Sequence, residues 1–185
     1  NASRFLLMNL ENYDATFKPS REDLELADKW ILQRLNETIT DVTRNLERFE
    51  LGEAARFIYD FIWLNFCDYY IELTKARLYS EDTKAKSAAL FTLMTVLETA
   101  LRLLHPFMPF LTEIIRQKLP NAKGSIMLAP YPTPDELKDW LSDDKDSTED
   151  VAILIFNTVK TIRNLKSELG IDSRKKVKVV LRESM

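Results

Sequence analysis

Apolar side chains recur every three to four residues through most of the chain, and this periodicity limits the fold more than any other feature. Over 21–50 they fall at Leu24, Ile31, Leu35, Ile39, Val42, Leu46 and Phe49. Spacings of three, four and seven place them on one face of a helix. Ser20 followed by Asp23 marks a start, with the serine as N-cap and the acid near the helix's positive end. Gly52 ends or interrupts the run. The next run, LGEAARFIYDFIWLNFCDYYIELTKARLYS, carries Phe57, Ile58, Phe61, Ile62, Trp63, Phe66, Tyr69, Tyr70 and Leu73. So broad an apolar face predicts a central helix touching several neighbours. A third helix follows Ser80-Glu81-Asp82, with Leu90, Leu93, Met94, Leu97, Leu101 and Leu104 as its stripe.

Prolines punctuate the chain beyond this helix. Pro106 and Pro109 lack a backbone N–H, so the third helix stops or kinks near His105, and a short helix resumes over 110–119. PNAKGSIMLAPYPTPDE is a loop with, at most, a weak strand at Ile126–Leu128. Residues 135–150 hold eight acids against two bases, a local charge of −6, and read as a solvated surface segment. A last helix runs from about 148 to 168, with Val151, Ile155, Val159, Ile162 and Leu165 inward and Gly170 as its stop. Val177, Val179 and Leu181 then alternate, which predicts a short β-strand with no clear partner. The expected fold is mainly α: an antiparallel helical bundle with a short C-terminal strand segment. The expected organisation is a bundle over 1–134, an acidic connection over 135–150, and a last helix with the start of a small α/β element over 151–185.

Composition removes several functions. At 45% hydrophobic and 30% charged, the 185 residues match a soluble globular domain, and no secretory leader is evident. No apolar run approaches the ~20 residues of a membrane span. One cysteine, Cys67, excludes an intrachain disulfide and suits the cytoplasm. With three glycines, phosphate-cradling loops are excluded. His105 is the only histidine, so no His/Cys metal cluster exists, and its place before a proline in an apolar stretch favours a buried or capping role over catalysis.

NASRFLLMNLE, LADKWILQRLNETI, FELGEAARFIYDFIW, FCDYYIELTKARLY, LHPFMPFLTEIIRQKLP and IRNLKSELGI occur in this order. Together they resemble the anticodon-binding domain of the valyl-tRNA synthetases, over essentially the whole chain. LHPFMPFLTE is shared with the isoleucyl and leucyl enzymes; NASRF with FCDYYIE points to the valyl group. The fold this implies is the class I synthetase anticodon-binding bundle. The function it implies is tRNA recognition, with tRNA-Val and the rest of the parent synthetase as partners, a cytoplasmic setting, a monomer and no membrane. ATP and magnesium belong to the parent enzyme. No HIGH-like or KMSK-like segment occurs, so the chain alone is not expected to catalyse, and it carries no catalytic or metal-ligating residue. NASRFLLMNL also enters helical periodicity with no start signal before it, as expected of a piece of a longer protein. The equivalent isoleucyl domain, or a helical protein-interaction bundle with no RNA role, keeps the same stripes.

RNA sequence is read mainly in unstacked loops, by stacking and by hydrogen bonds at base edges. The resemblance carries the base-reading role to Asn1 and Phe5 of NASRF and to Ile71 and Glu72 of CDYYIE. Phe5 would stack, Asn1 would meet a base edge, Ile71 would sandwich the base, and Glu72 would accept from an amine. A lysine that precedes the family asparagine by three residues falls outside the chain. The plainer reading makes Phe5 and Ile71 core and pairs Glu72 with Lys75 or Lys29. Leu7 and Met8 are expected to seat this helix on the bundle. Residues 160–185 carry a net +5, and Lys160, Arg163 and Lys166, together with Arg4, are candidates for backbone-phosphate contacts.

Overall fold

The structure, a computed structural model, describes residues 1–10, 13, 14, 16–120, 122–141, 154, 158, 159, 161, 162, 164–172, 175 and 177–180. Its first helix, α1 (Ala2–Asn9), is too short to persist alone in water. It is held by Leu6, which has no exposed surface; burial of one leucine contributes about 1.5–3 kcal/mol. Met8, expected to help seat the helix, is 69% exposed. The seat is one residue-step around the helix from where the pattern placed it, with Leu7 only half-buried.

A 3-10 turn, Arg21–Asp23, precedes α2 (Leu26–Glu47). The Asp23 carboxylate accepts from Ser20 N and Oγ, and the Asp28 carboxylate accepts from Glu25 N. Two successive capping interactions thus bend the chain into α2, where the sequence predicted one. Ile31, Leu35, Ile39 and Val42 are fully buried, as their spacing requires. Phe49 departs from the stripe: α2 ends at Glu47, and Phe49 is 87% exposed at φ 59°. Glu50 N reaches back to Asn45 O at 2.9 Å, so the left-handed residue that closes the helix is Phe49. Gly52 stops nothing; it lies inside α3 (Leu51–Asp60).

The central rod is α3, a π-helical segment over Phe61–Tyr70, and α4 (Ile71–Leu78). Ile71 N donates to Phe66 O, the i to i−5 bond of a π-helix. The wider turn changes which side chains face inward. Phe61, Phe66 and Tyr70 are buried, at spacings of five and four, while Trp63, assigned to the inward face from an α-helical period, is 55% exposed.

Asp82 caps α5 (Thr83–Leu104) by accepting from Lys84 N and Ala85 N. This helix is long and apolar enough to cross a membrane by composition, contrary to the sequence expectation. It is also the core helix of the bundle: Leu90, Leu93, Val96, Leu97 and Leu101 are buried among α1, α2 and α4. His105 ends it and places Nδ1 2.7 Å from Thr112 Oγ1 of α6 (Pro109–Arg116), the capping role its sequence position implied.

Ile126–Leu128 is a 3-10 turn capped by Ser125, not a strand. The packing continues past 134. Leu137 is buried, and Trp140 donates from Nε1 to Pro19 O at 3.1 Å and lies against Phe91. Residues 135–141 are therefore docked on the bundle, while the rest of the acidic segment lies outside the described residues. Helical backbone occurs at 154, 158, 159, 161, 162 and 164–168, and Gly170, at φ 63°, follows it as expected. Among the described residues there is no strand: 177–180 are irregular, because an isolated strand has no partner for its N–H and C=O groups. Leu181 lies outside them.

Candidate nucleic-acid interface

α1 and α4 meet across seventy positions of sequence. The Lys75 ammonium sits 5.7 Å from the Phe5 ring centroid, and it is also ion-paired to Glu72 one turn earlier on α4. Phe5, Lys75 and Glu72 thus form one contiguous group. Phe5 is half-buried against the core, leaving part of its ring uncovered. Glu72 and Lys75 are each somewhat more than one-third exposed. Asn1 lies one turn before Phe5, is exposed, and accepts the Phe5 amide through its carbonyl at 2.9 Å. Ile71 is different. It is 6% exposed and belongs to the core, so it offers almost no surface to a base in this arrangement.

Beside this group opens a cleft of about 400 Å³, within the range typical of ligand pockets. The π-helical segment and α4 line it with Leu64, Cys67, Tyr69 and Glu72, and Val159 and Asn164 close the far side. Glu72 is the sequence-assigned residue that faces it. Burial, with the Asp68 charge adding to it, pushes the Cys67 thiol above its ordinary pKa. A thiol held in its neutral form is a weaker nucleophile than a thiolate.

Two of the four backbone-contact candidates lie among the described residues. Arg4 is exposed on α1. Lys166 is half-buried and donates from Nζ to Lys175 O at 2.8 Å, tying the end of the last helix to the following turn. Lys160 and Arg163 lie outside the described residues.

What orients α4 was not recognised in the sequence. Asp28 has no exposed surface and receives four donors: Tyr70 Oη and Arg77 Nη2 on Oδ1, and Arg77 Nη1 and Glu25 N on Oδ2, the first three at 2.6 Å. Burial works against the Arg77 charge, but the hydrogen bonds and charge of Asp28, with the Glu25 charge, outweigh it and hold the guanidinium above its ordinary pKa. Burial first, and the Asp28 charge second, push the Tyr70 phenol well above its usual value, so it stays a neutral donor. One signal was available: an acid on the apolar stripe of LADKWILQRL, between Leu24 and Ile31. Also unassigned were Tyr59 and Trp63, whose exposed rings stack 6.1 Å apart and 5° from parallel.

A second cleft, of about 380 Å³, holds Arg102, Arg116, Glu98 and Glu136. Its charges are spent on one another. Arg102 pairs with Glu98 and Glu136 and donates to Pro130 O, and Arg116 pairs with Glu98. This cleft clamps 130–137 onto α5.

The family described as "Anticodon-binding domain of tRNA ligase" matches residues 28–181. The chain is 46% identical over 182 residues to a valine–tRNA ligase of Latilactobacillus sakei and 44% identical over 182 residues to one of Bacillus thuringiensis. It is 43% identical over 180 residues to one of Clostridium perfringens. These alignments cover 97–98% of this chain and 20% of each relative, so the chain spans about a fifth of their length.

Proposed function

The chain belongs to the family of tRNA-ligase anticodon-binding domains, and from that premise we propose that it is the anticodon-reading part of a valine–tRNA ligase. The observation that carries this reading is 43–46% identity to valine–tRNA ligases along nearly the whole chain. The parent enzyme attaches valine to tRNA-Val with ATP, as a cytoplasmic monomer, and its chemistry takes place outside these residues. The role of this part is recognition: binding the anticodon couples tRNA identity to charging at the distant acceptor end.

The reading assigns the central anticodon base to the group around Phe5 and Glu72. The free part of the Phe5 ring stacks on the base, Asn1 meets a base edge, and Glu72 accepts from an exocyclic amine. Ile71, next to Glu72 in the chain, packs into the core. Arg4, Lys160, Arg163 and Lys166 meet phosphates. Support for this assignment comes from the meeting of two distant motifs through Lys75 beside an open cleft.

The test uses the full-length ligase. A stacked base contributes about 1–3 kcal/mol, so Phe5→Ala is expected to lower charging of native tRNA-Val roughly 5- to 150-fold. Phe5→Ala and Glu72→Ala are expected to cost much less on a transcript already altered at the central anticodon base. Equal losses on both transcripts would show that these residues only support folding.

A further inference from the structure

The group assigned to the anticodon base is already occupied by one of the protein's own side chains. The Lys75 ammonium stands over the Phe5 ring, 5.7 Å from its centroid, and is ion-paired to the Glu72 carboxylate. These are the two surfaces that the anticodon reading gives to a base, the ring for stacking and the carboxylate for an amine. A stacked base lies about 3.5 Å above a ring. The ammonium at 5.7 Å therefore has no room to stay where it is once a base arrives. Its side chain is more than one-third exposed, so it is free to turn outward.

We propose that Lys75 is a specificity-determining residue that exchanges partners when the base arrives. The proposal rests on the anticodon reading above. In the free protein the ammonium holds the place of the base. The arriving base stacks on Phe5 and donates an exocyclic amine hydrogen to Glu72, and the displaced ammonium turns to a phosphate of the anticodon loop. An ionised carboxylate accepts at both oxygens, so the amine takes over from the lysine without leaving Glu72 unpaired. The exchange costs little. A partly exposed ion pair contributes little because water competes for both charges, and a cation over an exposed ring adds little more. A stacked base and a new phosphate contact outweigh both.

The charges around the group make the exchange selective. Glu72 and Asp68 line the adjoining cleft, and Arg4 is the cation of α1. While Lys75 is held by Glu72, its charge is not available to the RNA backbone. A base that brings an amine releases that charge to a phosphate. A base without one leaves Lys75 on Glu72 and the phosphate contact unmade. One lysine thereby couples the reading of a base edge to the hold on the backbone, two functions that ordinarily fall to separate contacts.

Binding of the full-length ligase across a range of salt concentrations tests this with two transcripts. One is native tRNA-Val; in the other the central anticodon base lacks its exocyclic amine. Each phosphate contact on a single strand steepens the fall of log K with log salt by about 0.7. On the native transcript Lys75→Met is expected to make the slope shallower by about 0.7, and Lys75→Arg is expected to keep it. On the transcript without the amine, Lys75→Met and the unaltered enzyme are expected to share the shallower slope. An unchanged slope for Lys75→Met on native tRNA would overturn the exchange. So would an equal change on both transcripts, which would make Lys75 a phosphate contact indifferent to the base. A loss of slope in Lys75→Arg as well would assign Lys75 to the fold and overturn it too. The two readings separate on the unaltered enzyme. Equal binding of both transcripts removes the Glu72 assignment and the exchange with it. A preference for the native transcript, with the slope intact in Lys75→Met, removes the exchange alone.

Discussion

Arg77 grips Asp28 through two hydrogen bonds of 2.6 Å at a point where the carboxylate has no exposed surface. This pair joins the first turn of α2 to the last turn of α4, and Tyr70 adds a third bond from the end of the π-helical segment. Glu72 and Lys75 stand on the rod that it fixes.

Removing one member leaves the other buried without its main charge partner, so Asp28→Asn or Arg77→Met is predicted to destabilise the fold by about 3–5 kcal/mol. Replacing both, Asp28→Leu with Arg77→Met, is predicted to recover much of that loss, because no uncompensated charge remains. Urea unfolding of the three variants checks this. A double variant no more stable than the singles would mean that packing, not charge, is the cost.

Phe49 is the exposed residue with left-handed backbone that closes α2. A side chain in this conformation costs roughly 1–2 kcal/mol, and glycine avoids it. Phe49→Gly is therefore predicted to raise the unfolding midpoint despite losing a large apolar group. A lower midpoint would indicate that the ring makes contacts that matter in solution.

Two phenols contribute to stability in the alkaline range. Partial burial raises Tyr131, which is 37% exposed, to about 12, and full burial raises Tyr70 well above the ordinary 10.0, with the Asp28 charge adding to the latter. The folded state prefers the neutral phenol. Its contribution is whole below the unfolded value of 10.0 and is lost as pH rises from there through the folded values. Tyr131→Phe is predicted to flatten that decline, as followed by unfolding midpoints across the alkaline range.

At the acid end, hydrogen bonds from Lys84 and Ser20 lower the Asp23 carboxyl to about 2. Its contribution is whole above the unfolded 3.8 and is lost as pH falls through about 2. Lys84→Met is predicted to move the Asp23 titration back toward 3.8 in carboxyl-resolved NMR. An unmoved titration would show that the Ser20 bonds suffice.

Lys75 meets two members of the proposed base-reading group, Phe5 and Glu72. In the full-length ligase Lys75→Ala is predicted to reduce charging of native tRNA-Val while leaving thermal stability nearly unchanged, since partly exposed pairs contribute only about 0–1 kcal/mol. A parallel loss of stability would assign Lys75 to the fold.

Much of this architecture was legible in the sequence because helices repeat. Leu35, Ile39 and Val42, or Leu90, Leu93 and Leu97, each report the same face by spacing alone, and Asp82 and Gly170 announce a start and a stop by local chemistry. The family was legible too, through NASRF and FCDYYIE. The misassignments have separate causes. Trp63 was placed inward by a 3.6-residue period, but the backbone there winds in a π-helix, and a wider turn rotates every later side chain. Phe49 was read as the end of a stripe, although the chain needed a left-handed residue at that point. The strand proposed at 177–181 needed a partner that alternation cannot supply.

The sequence by itself determined which segments are helical and which faces are apolar, because both follow from residues within a turn or two of one another. Only the tertiary structure decided that Asp28 meets Arg77, that Phe5 meets Lys75 beside Glu72, and that α6 buries a threonine while exposing a phenylalanine. Those outcomes depend on which helices pack together and at what rotation. That is a sum over contacts between residues far apart in the chain, and no local period encodes it.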